Sequence, residues 1–352
     1  MSEPASTPAR RVLITGGAGF IGSHLARALC ARGDTVTVLD DLSTGRPGNL
    51  DGLMRSHGLR LVAGSVCDQA LLDELTEGCD VVFHLAAAVG VQLVVEDALG
   101  TIETNVTGTE CVLKAAARTG AKVLLASTSE VYGKCLTLPA SEDDDVLIGA
   151  SRNSRWSYAA SKMVDEFLAL AYHRQRGLPV VVFRLFNTVG PRQSGRYGMV
   201  IPRFVAAALV GRPLPVHGDG GQSRSFLHVE DAVAGILALA ECEAAVGEVF
   251  NLGGSVEVTV SQVAEKVLHQ VGRPMTADSI TYIPYDQAYA SGFEDIRRRV
   301  ADTSKLRRYT GWVPQRSLDD ILSDVAADLG RELHVQVVPQ GTDPTAGAPV
   351  LS

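Results

Sequence analysis

The sequence predicts an α/β protein built on a Rossmann-type, doubly wound parallel sheet, with a smaller mixed C-terminal substrate lobe. Three observations carry this. Short β-branched runs alternate with helical patterns through the first 190 residues. Several of these runs are apolar at nearly every position, as strands covered on both faces of a parallel sheet are. A glycine-rich turn joins the first run to the first helix, and repeated β–α alternation is the pattern of a doubly wound fold.

Taken in order, "RVLIT" (11–15) reads as the first strand, and a helix over 20–32 follows the glycine turn. "TVTVLD" (35–40), "LRLVAG" (59–64), "DVVFHLA" (80–86), "KVLLAS" (122–127) and "PVVVFRLF" (179–186) read as further strands. Helices are expected at about 101–119 and at 157–176. Beyond residue 190 the pattern changes, because Pro191, Pro202, Pro213 and Pro215 interrupt it. A helix near 229–241, a strand at 248–252 and a helix from 259 follow, the last opened by "TVSQ" (259–262), a capping-box pattern. The expected organisation is a dinucleotide-binding domain over 10–190, to which some later segments return. A nucleotide-sugar lobe over 191–330 and a disordered, Pro- and Gly-rich tail over 335–352 complete it.

Composition narrows the function. Apolar residues make up 46% and charged residues 20%, which is globular. A net charge of −8 argues against general nucleic-acid binding, which needs a basic footprint. No apolar run approaches the roughly 20 residues needed to span a bilayer, so no membrane partner is expected. The opening "MSEPASTPARR" has no apolar signal core. The six cysteines are scattered without a CxxC spacing, so no metal is expected and a reduced, cytoplasmic setting is the simplest reading.

Gly16, Gly19 and Gly22 stand at G-x-x-G-x-x-G spacing between a strand and a helix. Glycines there permit a tight turn and close backbone approach to a diphosphate, and the helix N-terminus supplies free N–H groups. The next strand ends in Asp40, whose carboxylate suits two ribose hydroxyls and repels a 2′-phosphate, so NAD is expected over NADP. Asp68, after the third strand, is placed toward the adenine.

"LLASTSEVYG" ends a strand and offers Thr128, Ser129 and Glu130. Strand carboxyl ends are where ligands sit in such sheets. Tyr158 and Lys162 lie one helical turn apart on the following helix, so they share a face. A free phenol is a poor base at neutral pH, and a Lys ammonium nearby lowers its pKa. The pair therefore suits proton removal beside a hydride acceptor, with Thr128 aligning the hydroxyl. In isolation, a Y-x-x-x-K spacing equally fits a surface helix.

The stretches "TGGAGFIGSHL", "LDDLSTG", "HLAA", "NVTGT", "STSEVYG", "YAASK", "FRLFNTVGPRQ", "GDGGQSRSFLHVEDA" and "RRRVADTSKLRRYTGW" resemble the extended short-chain dehydrogenase/reductases of the sugar-nucleotide epimerase, dehydratase and decarboxylase group. The resemblance implies tightly held NAD, with Phe20, Ile21 and Leu85 at the cofactor beside the glycines. It implies a nucleoside diphosphate sugar, expected to be a UDP-sugar, whose C4 faces the nicotinamide, and Thr128, Tyr158 and Lys162 in catalysis. Asn187, Arg224 and Arg299 match positions that grip the diphosphate, a role that two guanidinium groups and an amide suit chemically. It also implies a homodimer through the helices near 101–119 and 157–176.

The expected reaction is C4 epimerisation of UDP-glucuronate to UDP-galacturonate through a 4-keto intermediate, with Arg192 of "TVGPRQ" either holding the uronate carboxylate or serving structurally. The alternatives are decarboxylation of UDP-glucuronate to UDP-xylose, then 4,6-dehydration, then an NAD-binding protein without activity. Thr-Ser-Glu at 128–130 keeps decarboxylation open and Glu130 counts against epimerisation. Ser129, where dehydratases of the group often have Asp, weakens dehydration.

Overall fold

The computed structural model describes residues 9–89, 97–195, 199–288 and 296–335. Six strands and five helices build most of the first unit. They are β1 (Arg11–Thr15), α1 (Phe20–Ala31), β2 (Thr35–Asp40), α2 (Asp51–His57), β3 (Arg60–Ala63), α3 (Gln69–Thr76), β4 (Val81–His84), α4 (Ala98–Thr119), β5 (Lys122–Thr128), α5 (Ser157–Arg176) and β6 (Val180–Leu185). The rest runs β7 (Thr188–Val189), α6 (Val200–Leu209), β8 (Leu214–His217), β9 (Ser223–Ser225), β10 (Leu227–His228), α7 (Val229–Glu241) and β11 (Val249–Leu252). It ends with β12 (Glu257–Thr259), α8 (Val260–Gln270), β13 (Ile280–Ile283), α9 (Tyr285–Ala288), β14 (Arg298–Arg299), α10 (Ser304–Thr310) and α11 (Leu318–Leu333).

Seven parallel strands form one sheet in the order β11-β6-β5-β4-β1-β2-β3. The order reverses between β1 and β4, the switch point beside which open sheets of this kind bind dinucleotides. β4 is buried at all four positions and β6 at five of six, so both faces need covering. One face packs under α1 and α7 with Leu306 and Trp312, the other under α3, α4 and α5. Three elements from late in the chain join this layer: α7 and α10 pack on the sheet and β11 pairs with β6. A separate core, including Phe204, Val216, Val263 and Val325, joins α6, α8 and α11 in the second unit.

Local chemistry sets several boundaries. Thr259 accepts from the Gln262 N–H while the Gln262 side chain returns to the Thr259 N–H, closing the expected capping box. α4 and α5 both end at glycines in the left-handed region, Gly120 (φ +79°) and Gly177 (φ +70°). Helices α2, α3 and α11 lie where no element was read; α2 and α3 are only 7 and 8 residues long, whereas α11 has 16 residues, a capping box and a buried apolar face. The proposed tail lies outside the described residues apart from Val335.

Among the six cysteines, all free, Cys30, Cys79 and Cys111 are buried and Cys67 is exposed. No described helix is long and apolar enough to cross a membrane. Among the described residues, no group of three or more His, Cys, Asp or Glu could hold a metal ion.

Candidate active site

The glycine turn is closed by contacts that only glycine allows. Gly16 lies at φ +72°, and a Cβ there would meet the Ala86 nitrogen at 2.8 Å. A Cβ on Gly22 would collide with the Gly16 carbonyl and the Gly17 Cα, so α1 starts hard against the turn. Gly19 is the N-cap of α1 and offers no side-chain cap, which leaves the first N–H groups of Phe20 and Ile21 for a ligand. Leu85 donates its N–H to Thr15 across the switch point (3.1 Å) and borders the Gly16 turn.

Asp40 is buried at the end of β2. Its two oxygens accept the Ala18 and Leu42 N–H groups, each at 2.9 Å. Each carboxylate oxygen has a second lone pair, which suits the two hydroxyls of a ribose. Burial pushes its carboxyl up, opposed by those two N–H groups. The cradle and this carboxylate fit NAD. Asp68, expected at the adenine, is the N-cap of α3 and accepts from the Leu71 N–H (3.1 Å).

Thr128 ends β5, and its hydroxyl accepts the Glu130 N–H (3.2 Å) as a 3₁₀ turn opens at Ser129–Tyr132. Tyr158 and Lys162 lie in the first two turns of α5. The electrostatics differ from expectation. Burial pushes the Tyr158 phenol up and the Glu130 charge pushes the same way, while the Thr128 hydrogen bond and Arg299 oppose them. The Lys162 ammonium is instead paired at 2.7 Å with the fully buried Asp165 carboxylate, which offsets its charge. Beyond Lys162, His84 bridges the Thr15 hydroxyl (2.7 Å) and the Thr109 hydroxyl (3.0 Å). Burial, helped by Lys162, pushes His84 down to about 3, so it is a neutral strut between β1, β4 and α4.

Glu130 is held between two arginines, Arg155 at 2.8 Å and Arg299 at 2.7 Å. Burial alone would raise its pKa; the Arg299 and Arg155 charges outweigh burial and bring it to about 2. Arg299 also reaches the Ser129 hydroxyl (3.4 Å). Arg155 is a site residue that the sequence does not mark, since an arginine three residues before a tyrosine carries no pattern of its own.

Arg299 pairs in register with Arg224 across β14 and β9. Asn187, at φ +28°, donates its amide to the Ser225 carbonyl (2.9 Å), one residue from Arg224. The three residues expected at a diphosphate are therefore brought to one place, with Arg299 also reaching into the catalytic turn. Arg192 lies against α1. Its guanidinium donates to the Ser23 hydroxyl on α1 (3.0 Å) and to the Asn49 carbonyl (3.4 Å), and its N–H donates to Asp328 (2.6 Å). Its backbone is in the left-handed region (φ +69°).

The model of GDP-mannose 4,6 dehydratase matches residues 13–325. A UDP-N-acetyl-alpha-D-glucosaminuronate decarboxylase from Bacillus cytotoxicus is 43% identical over 90% of this chain and 96% of its own length. UDP-glucuronic acid decarboxylase 1 from Arabidopsis thaliana is 38% identical over 91% of this chain and 69% of its own length. A UDP-glucuronic acid 4-epimerase variant from Bacillus cereus, solved with NAD and UDP-4-deoxy-4-fluoro-glucuronic acid, superposes with a TM-score of 0.81 over 92% of this chain and 99% of its own, at 27% identity. The stronger sequence likeness to decarboxylases corrects the expected kinship to 4-epimerases. The chain belongs to the GDP-mannose 4,6-dehydratase-like branch of the extended short-chain dehydrogenase/reductases, the NAD-dependent enzymes that epimerise, decarboxylate or dehydrate sugar nucleotides.

Proposed function

We propose that the chain decarboxylates a UDP-linked hexuronate through a 4-keto intermediate. The observation that carries this reading is the buried Glu130 carboxylate held between Arg155 and Arg299, near enough to Tyr158 to act on its ionisation. A simple epimerase needs a ketose free to turn over and has no use for an acid and a guanidinium at that point. Arg192, which would have restrained the carboxylate of an epimerase substrate, is committed to α1. The two decarboxylases described above support the same reading.

Bound NAD supplies a reversible hydride acceptor for sugar C4. Tyr158 takes the C4 hydroxyl proton, with Thr128 aligning the phenol. The resulting ketone is β to the C6 carboxylate. The C5–C6 bond then breaks, its electron pair passes to the ketone oxygen as an enolate, and carbon dioxide leaves. C5 takes up one proton, and the C4 hydride and hydroxyl proton are returned. Arg299 can exchange Glu130 for the substrate carboxylate. Glu130, left with Arg155 alone, then has a higher pKa and can carry the proton that C5 requires.

Incubation with UDP-glucuronate and with its 2-N-acetylamino analogue, followed by sugar-nucleotide chromatography and carbon dioxide detection, tests the reading. A UDP-pentose with stoichiometric carbon dioxide is expected from one of them. UDP-galacturonate without carbon dioxide would reject decarboxylation in favour of C4 epimerisation. Glu130→Gln is expected to slow pentose formation by about 100-fold, the low end of general acid catalysis, with a 4-keto or exchange product detectable by mass. Wild-type pentose formation in this variant would remove Glu130 from the mechanism.

We further propose that two copies pair through α4 and α5. Leu99 and Ile102, three residues apart on α4, and Val164 and Phe167, three apart on α5, are exposed, with Leu99 at 68% and Phe167 at 63%. Phe167→Glu is expected to convert a dimer to a monomer in sedimentation velocity. A dimer unchanged by this substitution would place the interface elsewhere.

A further inference from the structure

Arg192 makes no contribution to the reaction proposed above, yet several features hold it in place. It is one of four non-glycine residues with positive φ among the described residues. Such a backbone is strained and persists only where surrounding contacts enforce it. Here those contacts join three elements. The Arg192 N–H donates to the Asp328 carboxylate on α11, in the substrate lobe (2.6 Å). Its guanidinium donates to the Ser23 hydroxyl, in the second turn of α1, and to the Asn49 carbonyl. The Asn49 amide in turn donates to the Ala18 carbonyl, inside the glycine turn (2.8 Å), which also accepts the Arg46 N–H (3.0 Å). One residue earlier, the Pro191 carbonyl accepts from His24 of α1 (3.0 Å), whose imidazole is kept neutral by burial.

The charge is also informative. Both acceptors of the Arg192 guanidinium, a hydroxyl and a carbonyl, are neutral, and the group is half-buried close to the positive end of the α1 dipole. Burial and the neighbouring Arg27 disfavour its charge, with Asp328 and Glu230 only partly offsetting them. An anion over the glycine turn relieves that cost, and the dinucleotide diphosphate is such an anion.

We propose that Arg192 is a positioning residue for cofactor retention, a latch that keys α11 of the substrate lobe to α1 and the glycine turn and so slows dissociation of NAD. It acts on the dinucleotide, not on the sugar.

The test measures NAD release from the purified full-length protein. Rapid desalting followed by acid extraction and chromatography gives the bound NAD with time, and calorimetry with UDP reads the sugar-nucleotide side independently. Arg192→Ala is expected to release NAD at least about ten-fold faster, the loss of one hydrogen-bonded charge. UDP affinity and thermal midpoint with saturating NAD are expected to be unchanged. Arg192→Lys, which keeps the charge and one donor, is expected to recover part of the retention. NAD release at the wild-type rate would overturn the proposal. So would an Arg192→Ala protein that keeps its NAD and loses UDP affinity, because the guanidinium would then belong to the substrate. If Arg192→Ala does not fold, Ser23→Ala removes only the acceptor hydroxyl. It is expected to speed release in the same direction, and a wild-type rate there would equally sink the latch. These readouts need no turnover, so they stand apart from the choice between decarboxylation and epimerisation.

Discussion

Tyr158→Phe is expected to lower turnover by roughly three orders of magnitude while leaving NAD bound, because it removes the group proposed to take and return the C4 hydroxyl proton. The substitution deletes one oxygen and keeps the ring, so the packing of α5 against the 3₁₀ turn at Ser129–Tyr132 is preserved. Kcat from sugar-nucleotide chromatography, with NAD content measured on the same sample, separates lost chemistry from a lost cofactor. Turnover within a few-fold of wild type would show that another base does this work. The environment makes the prediction sharp. Burial and Glu130 both push the phenol up, so its ionisation depends on what counters that negative charge. A substrate carboxylate that draws Arg299 away also frees Glu130 to take a proton. Once Glu130 is neutral, the charge that opposed the phenolate is gone. In the proposed reaction, proton transfers at C4 and at C5 would thus be linked through one carboxylate.

Glu166→Gln is expected to destabilise the fold by about 3–5 kcal/mol, read as a lower urea midpoint with an unchanged slope. Glu166 of α5 receives two hydrogen bonds from Arg184 of β6, at 2.9 and 2.7 Å, and a third from the Ser127 hydroxyl of β5. Arg184 also lies over the Tyr132 ring at 4.7 Å, and Tyr132 donates to Asn251 on β11 (2.8 Å). Both partners of the ion pair are buried. Removing one charge strands the other, and that penalty exceeds what the intact pair contributes. Because the network crosses β5, β6, β11 and α5, it also sets the angle at which α5 presents Tyr158. A loss below about 1 kcal/mol would mean that water reaches Arg184 and repairs the deficit.

Several parts of the site were legible because the chemistry is local. The glycine spacing works through a turn a few residues long, and the steric conflicts at Gly16 and Gly22 lie with the turn itself and the neighbouring Leu85–Ala86 segment. Asp40 needs only to end its strand. Tyr158 and Lys162 share a face through helix geometry alone. The strand at 249–252 was legible as a strand, but its place at the edge of the sheet beside β6 depends on α7 crossing the opposite layer. Arg155 and Asp165 were not legible as parts of the site. A buried charge is recognised by its partner, and Glu130 stands 25 residues before Arg155 and 169 before Arg299. Lys162 was read as the partner of Tyr158 because spacing permits it. Asp165, on the same helix and fully buried, pairs with the same ammonium at 2.7 Å.

Pattern and composition by themselves determined the layered α/β architecture, the dinucleotide turn and the preference for NAD. Those properties follow from side-chain periodicity and from backbone freedom within a few residues. Tertiary structure alone decided which guanidinium faces which carboxylate. It set Arg192 against Ser23 of α1 and brought Arg299 to Glu130. Electrostatic pairing depends on distance in space and on exclusion of water, and neither is encoded in the spacing of residues along a chain.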